Sequence, residues 1–294
     1  TSTHADRRLA TIDLYLAFTG RVQRSDLMRH FDIGIATASR SLKEYRSLHP
    51  DNINYSVSDR AYLSSSEFTP AYTHDTNAAL RLIAFGQETT NISGPRYGIA
   101  SPSSLTASID MDGARVITRA IVSRGLVNMT YSSGSSGNRE RTVAPHALFE
   151  SGGTWYFRCH NLEKDDFRTF RLSRVKSAEV VDESEYKKSS ASSNDPEWNA
   201  MVTLTIGPHP NRGNQDALRE DLGLIDKLVK NIQVNAAMAG FVLIDLRVDC
   251  SKEGDLNPYE YHLRLLNRHE LISVDSLTIA PGFNSQKPNT AKLT

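Results

Sequence analysis

The chain has 294 residues, a length at which two or three domains are expected. Its hydrophobic content of 39% and charged content of 23% are those of an ordinary soluble protein with enough apolar residues for real cores. No apolar run is long enough to span a membrane, and the first residues do not resemble a signal peptide. The two cysteines, Cys159 and Cys250, do not make a disulfide framework, so a protein of the reducing cytoplasm is expected.

The formal net charge of zero hides an uneven distribution of charged residues along the chain. Residues 1–63 contain 9 Lys and Arg against 7 Asp and Glu, whereas residues 115–176 contain 11 against 5. The middle of the chain is therefore its most basic part, which predicts an anionic partner there.

Three helices are predicted at the start of the chain. Apolar residues recur at helical spacing over Asp6–Thr19, and Gly20 ends this run. A second helix is predicted to begin at Arg24 with Ser25 as its N-cap, and a third to run from Ile35 to about Leu48. A short helix, a glycine turn and a longer helix are typical of a helix-turn-helix motif.

Two short runs at 54–57 and 61–63 follow, and the turn between them predicts a hairpin that would be the wing of a winged helix-turn-helix domain. Such a domain places the N-terminal residues of its recognition helix against base edges in the major groove. The residues predicted to meet bases are Thr37, Ser39, Arg40 and Lys43. The residues predicted to hold phosphates are Arg24, Ser25, Arg60 and Tyr62. The alternative interpretation of the third helix is an exposed polar face without a DNA partner.

The basic middle region is predicted to be a helix over 112–124 followed by an antiparallel sheet of about five strands. The predicted strands are 126–132, 139–144, 145–149, 154–159 and 167–175. Alternation in the fourth strand places Trp155, Phe157 and Cys159 on one face. The other face carries Tyr156, Arg158 and His160. An aromatic face opposite a face with Arg and His suits an anionic or planar ligand.

These residues resemble the WYL-domain transcriptional regulators, a family named for a Trp-Tyr-Leu strand. That strand reads Trp155-Tyr156-Phe157 here, and Phe170–Val175 is similar to the family's Phe-Arg-Leu-Asp-Arg-Ile segment. Pro145-His146 matches the family's Pro followed by an aromatic residue or His. Phe157 replaces the family's Leu, and Ser173 replaces its Asp, which removes a charge beside two arginines. Within the family, the chain most resembles the single-chain repressors of phage-defence islands of the BrxR and CapW kind.

The resemblance implies a multidomain α+β protein with an N-terminal winged helix-turn-helix domain, an Sm-like small β-barrel as the WYL domain and an α+β C-terminal dimerisation domain. The expected limits are 1–66 for the first domain, 67–110 for a helical linker, 111–182 for the WYL domain, 183–198 for a flexible linker and 199–294 for the last domain. Sequence patterns predict a helix at 74–89 and a long connection at 91–108. In the last domain they predict strands at 201–206, 237–250 and 270–274 and helices at 214–222 and 259–267.

A ligand site is expected on the WYL sheet. The resemblance implies a pocket made by Tyr131, His146, Trp155, Tyr156, Arg171 and Arg174. The residue pattern adds Arg141, Arg158, His160 and Arg168. Clustered guanidinium groups beside aromatic rings suit a nucleotide or a short nucleic acid. Two alternatives stay open: Arg158 and Arg168 form a solvated sheet face, and Trp155 belongs to the core.

An enzyme is not expected. Cys159 and His160 are neighbours on a strand and point to opposite faces, so they are poorly placed to act as nucleophile and base. No zinc-ligand spacing and no Gly-rich phosphate loop occur, so neither a metal nor a cofactor is expected. The sequence therefore predicts a cytoplasmic homodimeric repressor that binds a palindromic operator on double-stranded DNA. The alternative is an accessory protein that binds nucleic acid through the WYL domain without operator recognition.

Overall fold

The computed structural model describes residues 4–85, 109–134, 137–181, 188–221, 223–224 and 229–283. The connection predicted at 91–108 lies outside these residues. The described chain forms three successive units that combine helices and sheets, which confirms the predicted α+β class. None of the described helices is long and apolar enough to cross a membrane.

The first unit contains three helices and a three-stranded sheet, as the helix-turn-helix pattern predicts. Its elements are α1 (His4–Thr19), β1 (Arg21–Val22), α2 (Arg24–Phe31), α3 (Ile35–Leu48), β2 (Ile53–Ser56) and β3 (Ala61–Ser64). Strands β2 and β3 form the predicted wing, in which Tyr55 lies opposite Tyr62 and β1 adds a third strand. The prediction of Ser25 as N-cap is wrong, because Gln23 precedes the helix and its N–H donates to Asp26 at 2.7 Å.

Asp13 is a fully buried carboxylate in α1 that connects three parts of the first unit. Its oxygens accept hydrogen bonds from the hydroxyl of Tyr45 in α3, the N–H of Ala71 at 3.0 Å and the ring of His74 at 2.7 Å. Burial alone would raise the pKa of Asp13, but these hydrogen bonds outweigh it and lower the pKa below its ordinary value. The ionised carboxylate therefore fixes α3 relative to the segment that leads into helix α4 (Thr76–Phe85).

The second unit is a helix followed by a five-stranded antiparallel sheet. Its elements are α5 (Met111–Ser123), β4 (Leu126–Ser133), β5 (Gly137–Ser151), β6 (Thr154–Asn161), β7 (Asp166–Arg171) and β8 (Val175–Val181). The strand order is β7-β6-β5-β4-β8. Because no pairing between the edge strands β7 and β8 occurs among the described residues, the Sm-like barrel stays a prediction.

The number of strands is as predicted, but the division of the chain into strands differs. The strands predicted at 139–144 and 145–149 are one strand, because a bulge at His146 carries β5 past Pro145. The fifth strand is β8, which the chain reaches through the 3-10 turn Leu172–Arg174. The bulge leaves His146 without a partner in the sheet register, so its ring is directed away from the ladder.

The first and second units share one apolar core. Ala17 and Phe18 of α1 and Leu80 of α4 belong to the same buried cluster as Trp155 and Phe157 of the sheet. At 25 cal/mol per Å² of apolar surface, each large side chain in this cluster contributes roughly 1.5–3 kcal/mol. The first and second units therefore meet in a packed apolar core.

Arginine side chains of α5 complete this boundary at the C-terminal end of α1. Arg119 donates to the carbonyl oxygens of Leu16 at 2.8 Å and Ala17 at 2.7 Å, and the Thr118 hydroxyl donates to that of Phe18 at 2.6 Å. A cation is favourable at this end of a helix because the last carbonyl groups carry its negative pole. Helix α5 thus caps α1.

The third unit is a four-stranded sheet with short helices. Its elements are α6 (Pro196–Asn199), β9 (Met201–Pro208), α7 (Gln215–Asp221), β10 (Lys230–Asn235), α8 (Ala236–Asp245), β11 (Val248–Asp249) and β12 (Leu263–Leu265). The strand order is β10-β9-β12-β11, with β11 and β12 parallel. The strand predicted at 201–206 and the helix predicted at 214–222 are confirmed.

Three predictions for the third unit are wrong. Residues 237–250 form helix α8 and then β11, because a run that is apolar all round does not reveal its period. Residues 259–267 contain strand β12, since Leu263 and Leu265 pair with β9. Residues 270–274 do not form a strand, because they contain the end of a 3-10 helix, Arg268–Leu271, and the turn after it. The start of this 3-10 helix is fixed by Asn267, whose amide donates to Glu270 at 3.0 Å.

The segment expected to be a flexible linker is structured where the chain is described. It contains two 3-10 turns, Lys188–Ser190 and Ser192–Asn194, followed by helix α6. Ser190 and Asp195 have no exposed surface. This segment therefore packs against the sheet of the second unit.

Replacing Asp13 with alanine should lower the free energy of unfolding by roughly 3 kcal/mol, because a hydroxyl, an N–H and a histidine ring lose their buried acceptor. The matched control is Asp216→Ala, whose carboxylate is 85% exposed and pairs with Arg219 on α7. That change should cost less than about 0.5 kcal/mol. Urea unfolding followed by circular dichroism measures both. Equal losses in the two variants would contradict the role of Asp13.

Candidate functional site

The residues predicted to contact DNA lie on α2, α3 and the wing, and all of them reach solvent. Exposed are Arg24, Ser25, Arg40, Lys43 and Arg60, and half-buried are Thr37, Ser39 and Tyr62. None of the four basic side chains forms an ion pair with a carboxylate of the described residues. Their charges are therefore available to phosphates or base edges.

The first turn of α3 also presents an apolar surface. Ile35 is 59% exposed and Ala36 beside it is exposed, whereas Ala38, Leu42 and Tyr45 face inward as their spacing predicts. The sequence patterns single out only polar residues of this helix. The signal that identifies Ile35 is a large aliphatic residue directly after the turn glycine, at the end of the helix that meets base edges.

The five predicted arginines of the sheet differ in what neutralises them. Arg168 donates to Asp166 through two nitrogens, at 2.7 and 2.9 Å. Arg158 is 5% exposed and is enclosed by carboxylates of the segment before α6. Arg141, Arg171 and Arg174 form no ion pair with any carboxylate in the described part of the chain. Only these last three arginines therefore lack an internal counter-ion.

Arg141 is as deeply buried as Arg158, at 5% exposed, yet no anion accompanies it among the described residues. Its guanidinium lies 5.7 Å from the centre of the Phe170 ring, and its Nε has no hydrogen-bond partner. The same Phe170 ring contacts Tyr131 edge-on at 4.8 Å. Because burying an unpaired charge is costly, the Phe170 ring is the one group of the described residues seen to stabilise this guanidinium.

Tyr131, which contacts the same Phe170 ring as Arg141, interacts with Arg171 and Arg174. The hydroxyl of Tyr131 accepts the backbone N–H of Arg171 at 3.0 Å, and the charge of Arg174 lowers the pKa of Tyr131, which burial raises more strongly. The guanidinium of Arg171 donates to the Tyr156 hydroxyl at 3.1 Å. Arg171 thus contacts both phenol hydroxyls, through its backbone and through its guanidinium, whereas the strand register places the Arg141 side chain on the opposite face of the sheet from that of Arg171.

Arg158 and His146 belong to a second group, which we call the polar joint: His146, Arg158, Asp195 and Glu197. The strand register places Arg158 on the face of the sheet that carries Tyr156 and Arg171, opposite the face of Arg141 and Tyr131. Asp195 accepts from Arg158 at 2.7 and 3.0 Å, and it lies 3.0 Å from the His146 ring. Burial would raise the pKa of Asp195, but the hydrogen bonds from His146 and Arg158 hold it far below its usual range. Arg158 and Asp195 therefore form an ionised pair that neutralises the buried guanidinium.

The remaining predicted residues lie apart from both groups. Trp155 is 1% exposed in the shared apolar core. His160 is buried on the other face, with Nδ1 3.0 Å from the Ser190 hydroxyl. Cys159 faces the core, where burial raises the pKa of its thiol well above the usual value. The opposite orientation of Cys159 and His160, predicted from strand alternation, is confirmed. No group of His, Cys, Asp or Glu that could hold a metal ion occurs in the described ranges.

Comparison with known proteins matches each unit to a family model. The BrxR transcriptional regulator winged helix-turn-helix domain matches residues 4–84, the WYL domain matches residues 114–180, and the BrxR C-terminal dimerization domain matches residues 201–271. The three models follow one another in the same order as the three units of the fold.

Curated relatives match along nearly the whole chain. The DNA-binding transcriptional repressor CapW of Stenotrophomonas maltophilia is 30% identical over 282 residues, which cover 90% of this chain and 90% of the relative. CapW of Escherichia coli is 28% identical over 282 residues, covering 92% and 91%, and CapW of Pseudomonas aeruginosa is 27% identical over 278 residues, covering 90% of each. The chain therefore belongs to the family of WYL-domain transcriptional regulators of the BrxR and CapW kind, as its sequence predicts.

Proposed function

We propose that this chain is a cytoplasmic homodimeric repressor of a phage-defence operon. Each winged helix-turn-helix domain reads one half of a palindromic operator. A nucleotide or short nucleic acid binds the WYL domain and changes the population of DNA-competent dimers. The relatives named above are DNA-binding transcriptional repressors, and the model that matches residues 201–271 is that of a dimerization domain.

Operator recognition is supported by the exposed, unpaired cations of the first unit. Arg40 lies in the first half of α3, where the helix can approach the floor of the major groove, and a guanidinium can contact guanine through two hydrogen bonds. Arg24 and Arg60 lie on α2 and the wing, where they would hold phosphates and set the register. The small charge of one domain favours binding by two copies.

Replacing Arg40 with alanine should weaken operator binding at least about tenfold, because each lost guanine contact is worth about 1–3 kcal/mol. A mobility shift on the DNA upstream of the protein's own gene measures this. The control is Lys252→Ala, which removes a positive charge that is 84% exposed on the third unit and should change binding less than about twofold. Unchanged binding by Arg40→Ala would remove the proposed base contact.

Ile35 should read a thymine through its C5-methyl group, because an exposed aliphatic side chain at this end of the helix can bury that methyl in the major groove. Replacing operator thymines one at a time with deoxyuridine removes a single methyl group at each position. At one position of the half-site this replacement should weaken wild-type binding about threefold or more. Ile35→Ala should be insensitive to the same replacement. Val57→Ala, at a 79% exposed aliphatic residue of the wing turn, should keep the wild-type sensitivity. Equal sensitivity in all three proteins would contradict this assignment.

The observation that carries the ligand proposal is the buried, unpaired Arg141. Tyr131, which contacts the same Phe170 ring, interacts with Arg171 and Arg174, and these two arginines add donors suited to phosphate. The ring of Tyr156 lies under the Arg171 guanidinium at 5.5 Å and is buried against Phe149 and Phe241, so it positions Arg171. The phosphate groups of a nucleotide or a short nucleic acid fit the unpaired guanidinium groups.

Arg141→Met should abolish the change in reporter expression that follows phage infection in cells carrying an operator–reporter fusion. It should not lower the free energy of unfolding, because it removes a buried charge that has no internal partner. The matched control is Arg168→Met in the same sheet, where Asp166 already neutralises the arginine. That variant should keep the response.

The same variants separate the repressor from the accessory-protein alternative. A repressor with a sensor predicts that Arg141→Met and Arg171→Ala keep operator binding and lose only the response to infection. If these variants lose operator binding while remaining folded, nucleic acid is bound through the WYL sheet and the accessory role gains support.

A further inference from the structure

The centre of the polar joint is Asp195, which lies in the segment after the WYL sheet and whose carboxylate contacts Arg158 of that sheet. Asp195 has no exposed surface, and its two oxygens face the Nε and Nη2 of Arg158 at 2.7 and 3.0 Å. His146, placed by the bulge in β5, adds a third contact at 3.0 Å. A guanidinium that holds two oxygens side by side uses the geometry with which arginine holds a phosphate. The chain's own carboxylate therefore occupies a position that a phosphate oxygen could take.

The polar joint adjoins the proposed ligand residues on the same face of the sheet. Tyr156 and Arg158 are two residues apart on β6, which places them about 7 Å apart. Their partners across the ladder are Arg171 and Thr169. An anion held by Arg171 thus has Arg158 as the next guanidinium on that face.

A cavity also lies beside the polar joint. A cavity of about 40 Å³ adjoins Arg158 and is lined by Thr169, Glu197, Phe241 and Ser276. Glu197 contributes a second carboxylate oxygen, 3.3 Å from Nη2 of Arg158, and burial raises its pKa above the ordinary value. The polar centre therefore has room for an exchange of partners.

Movement of Asp195 would be transmitted to the C-terminal domain. Asp195 caps α6 by accepting the N–H of Trp198 at 3.2 Å, and Glu197 accepts the N–H of Asp275 at 2.9 Å. Trp198 packs 5.7 Å from His146, and the Tyr156 ring lies 4.8 Å from Phe241 of α8. The joint is thus the place where the sensor sheet and the C-terminal domain are held together.

We propose that Asp195 is an internal competitor for the sensor's anion: a phosphate-bearing ligand displaces it from Arg158 and His146 and so loosens the C-terminal domain from the sheet. This inference rests on the proposed ligand function and specifies how that site is regulated. The exchange replaces one anion by another on the same guanidinium, so Arg158 is never left without a counter-ion. Because the competitor is covalently attached, it lowers the apparent affinity for ligand by the fraction of molecules in which it is engaged.

The test measures binding of inorganic pyrophosphate to the full-length protein by calorimetry, with Trp198 fluorescence as a local signal from the joint. Asp195→Asn keeps the size of the side chain and removes its charge, so pyrophosphate should bind at least about tenfold more tightly than to wild type. The control Glu253→Gln removes a carboxylate that is 75% exposed on the C-terminal domain and should leave the affinity unchanged. A merely structural Asp195 would change stability and leave pyrophosphate affinity as it is.

A second variant protects the test against misfolding of Asp195→Asn. Glu197→Gln removes the weaker carboxylate, whose side chain is 22% exposed, and should tighten binding by a smaller factor in the same direction. Equal affinities in wild type and both variants, with binding lost in Arg141→Met, would overturn the competitor and leave the sensor intact. If neither wild type nor Asp195→Asn binds pyrophosphate at millimolar concentration, the anion-sensing function fails as well.

Discussion

A guanidinium group stays charged in any protein interior, so each buried arginine requires an anion. The WYL sheet contains two such arginines with the same exposure, 5%, and they meet this requirement differently. Arg158 receives the carboxylate of Asp195 from the same chain. Arg141 receives none from the described residues and rests against the Phe170 ring. Two arginines that are equally buried in one sheet are therefore stabilised by different groups, a carboxylate for Arg158 and an aromatic ring for Arg141.

The WYL sheet borders the first unit on one side and the third unit on the other, and these two boundaries differ in whether apolar or charged groups form them. Toward the winged helix-turn-helix domain the boundary is an apolar core with Arg119 capping α1, and it opens only by exposing hydrophobic surface to water. Toward the C-terminal domain its centre is ionic, with the aromatic cluster around Tyr156 beside it. Ionic contacts can be exchanged for others of similar energy, whereas apolar burial has no substitute in water. The WYL sheet therefore meets the first unit through an apolar core and meets the third unit through an ionic centre beside an aromatic cluster.

The parts of the fold that could be predicted have local signals. A glycine turn before Ile35, helical spacing in α1 and strand alternation around Trp155 each depend on a few neighbouring residues, and the corresponding elements are present. Helix α8 was not predictable because its apolar residues cover several faces, including Gly240, where a Cβ would lie 1.9 Å from the Ser276 carbonyl oxygen. The sequence pattern divides β5 into two strands at Pro145, because proline is typical of the end of a strand.

The composition of the candidate site was predictable, but its pairing was not. The arginines and aromatic residues of the sheet follow from strand alternation and from the family pattern. The anion of Arg158 lies 37 residues further along the chain, in a Ser-rich segment that has the composition of a linker. Only the tertiary structure distinguishes Arg158, which is neutralised, from Arg141, which is not. The exposed Ile35 shows the same limit, because its exposure depends on how α3 packs.

The interior shared by the first two units has a consequence for how such regulators diversify. A crossover between residues 85 and 109 would combine Phe18 and Leu80 from one ancestor with the sheet of another, in an apolar core whose side chains must fit together. Exchange of the first unit between two relatives would therefore require compensating changes in this core, whereas point changes on the outward surface of α3 leave it intact.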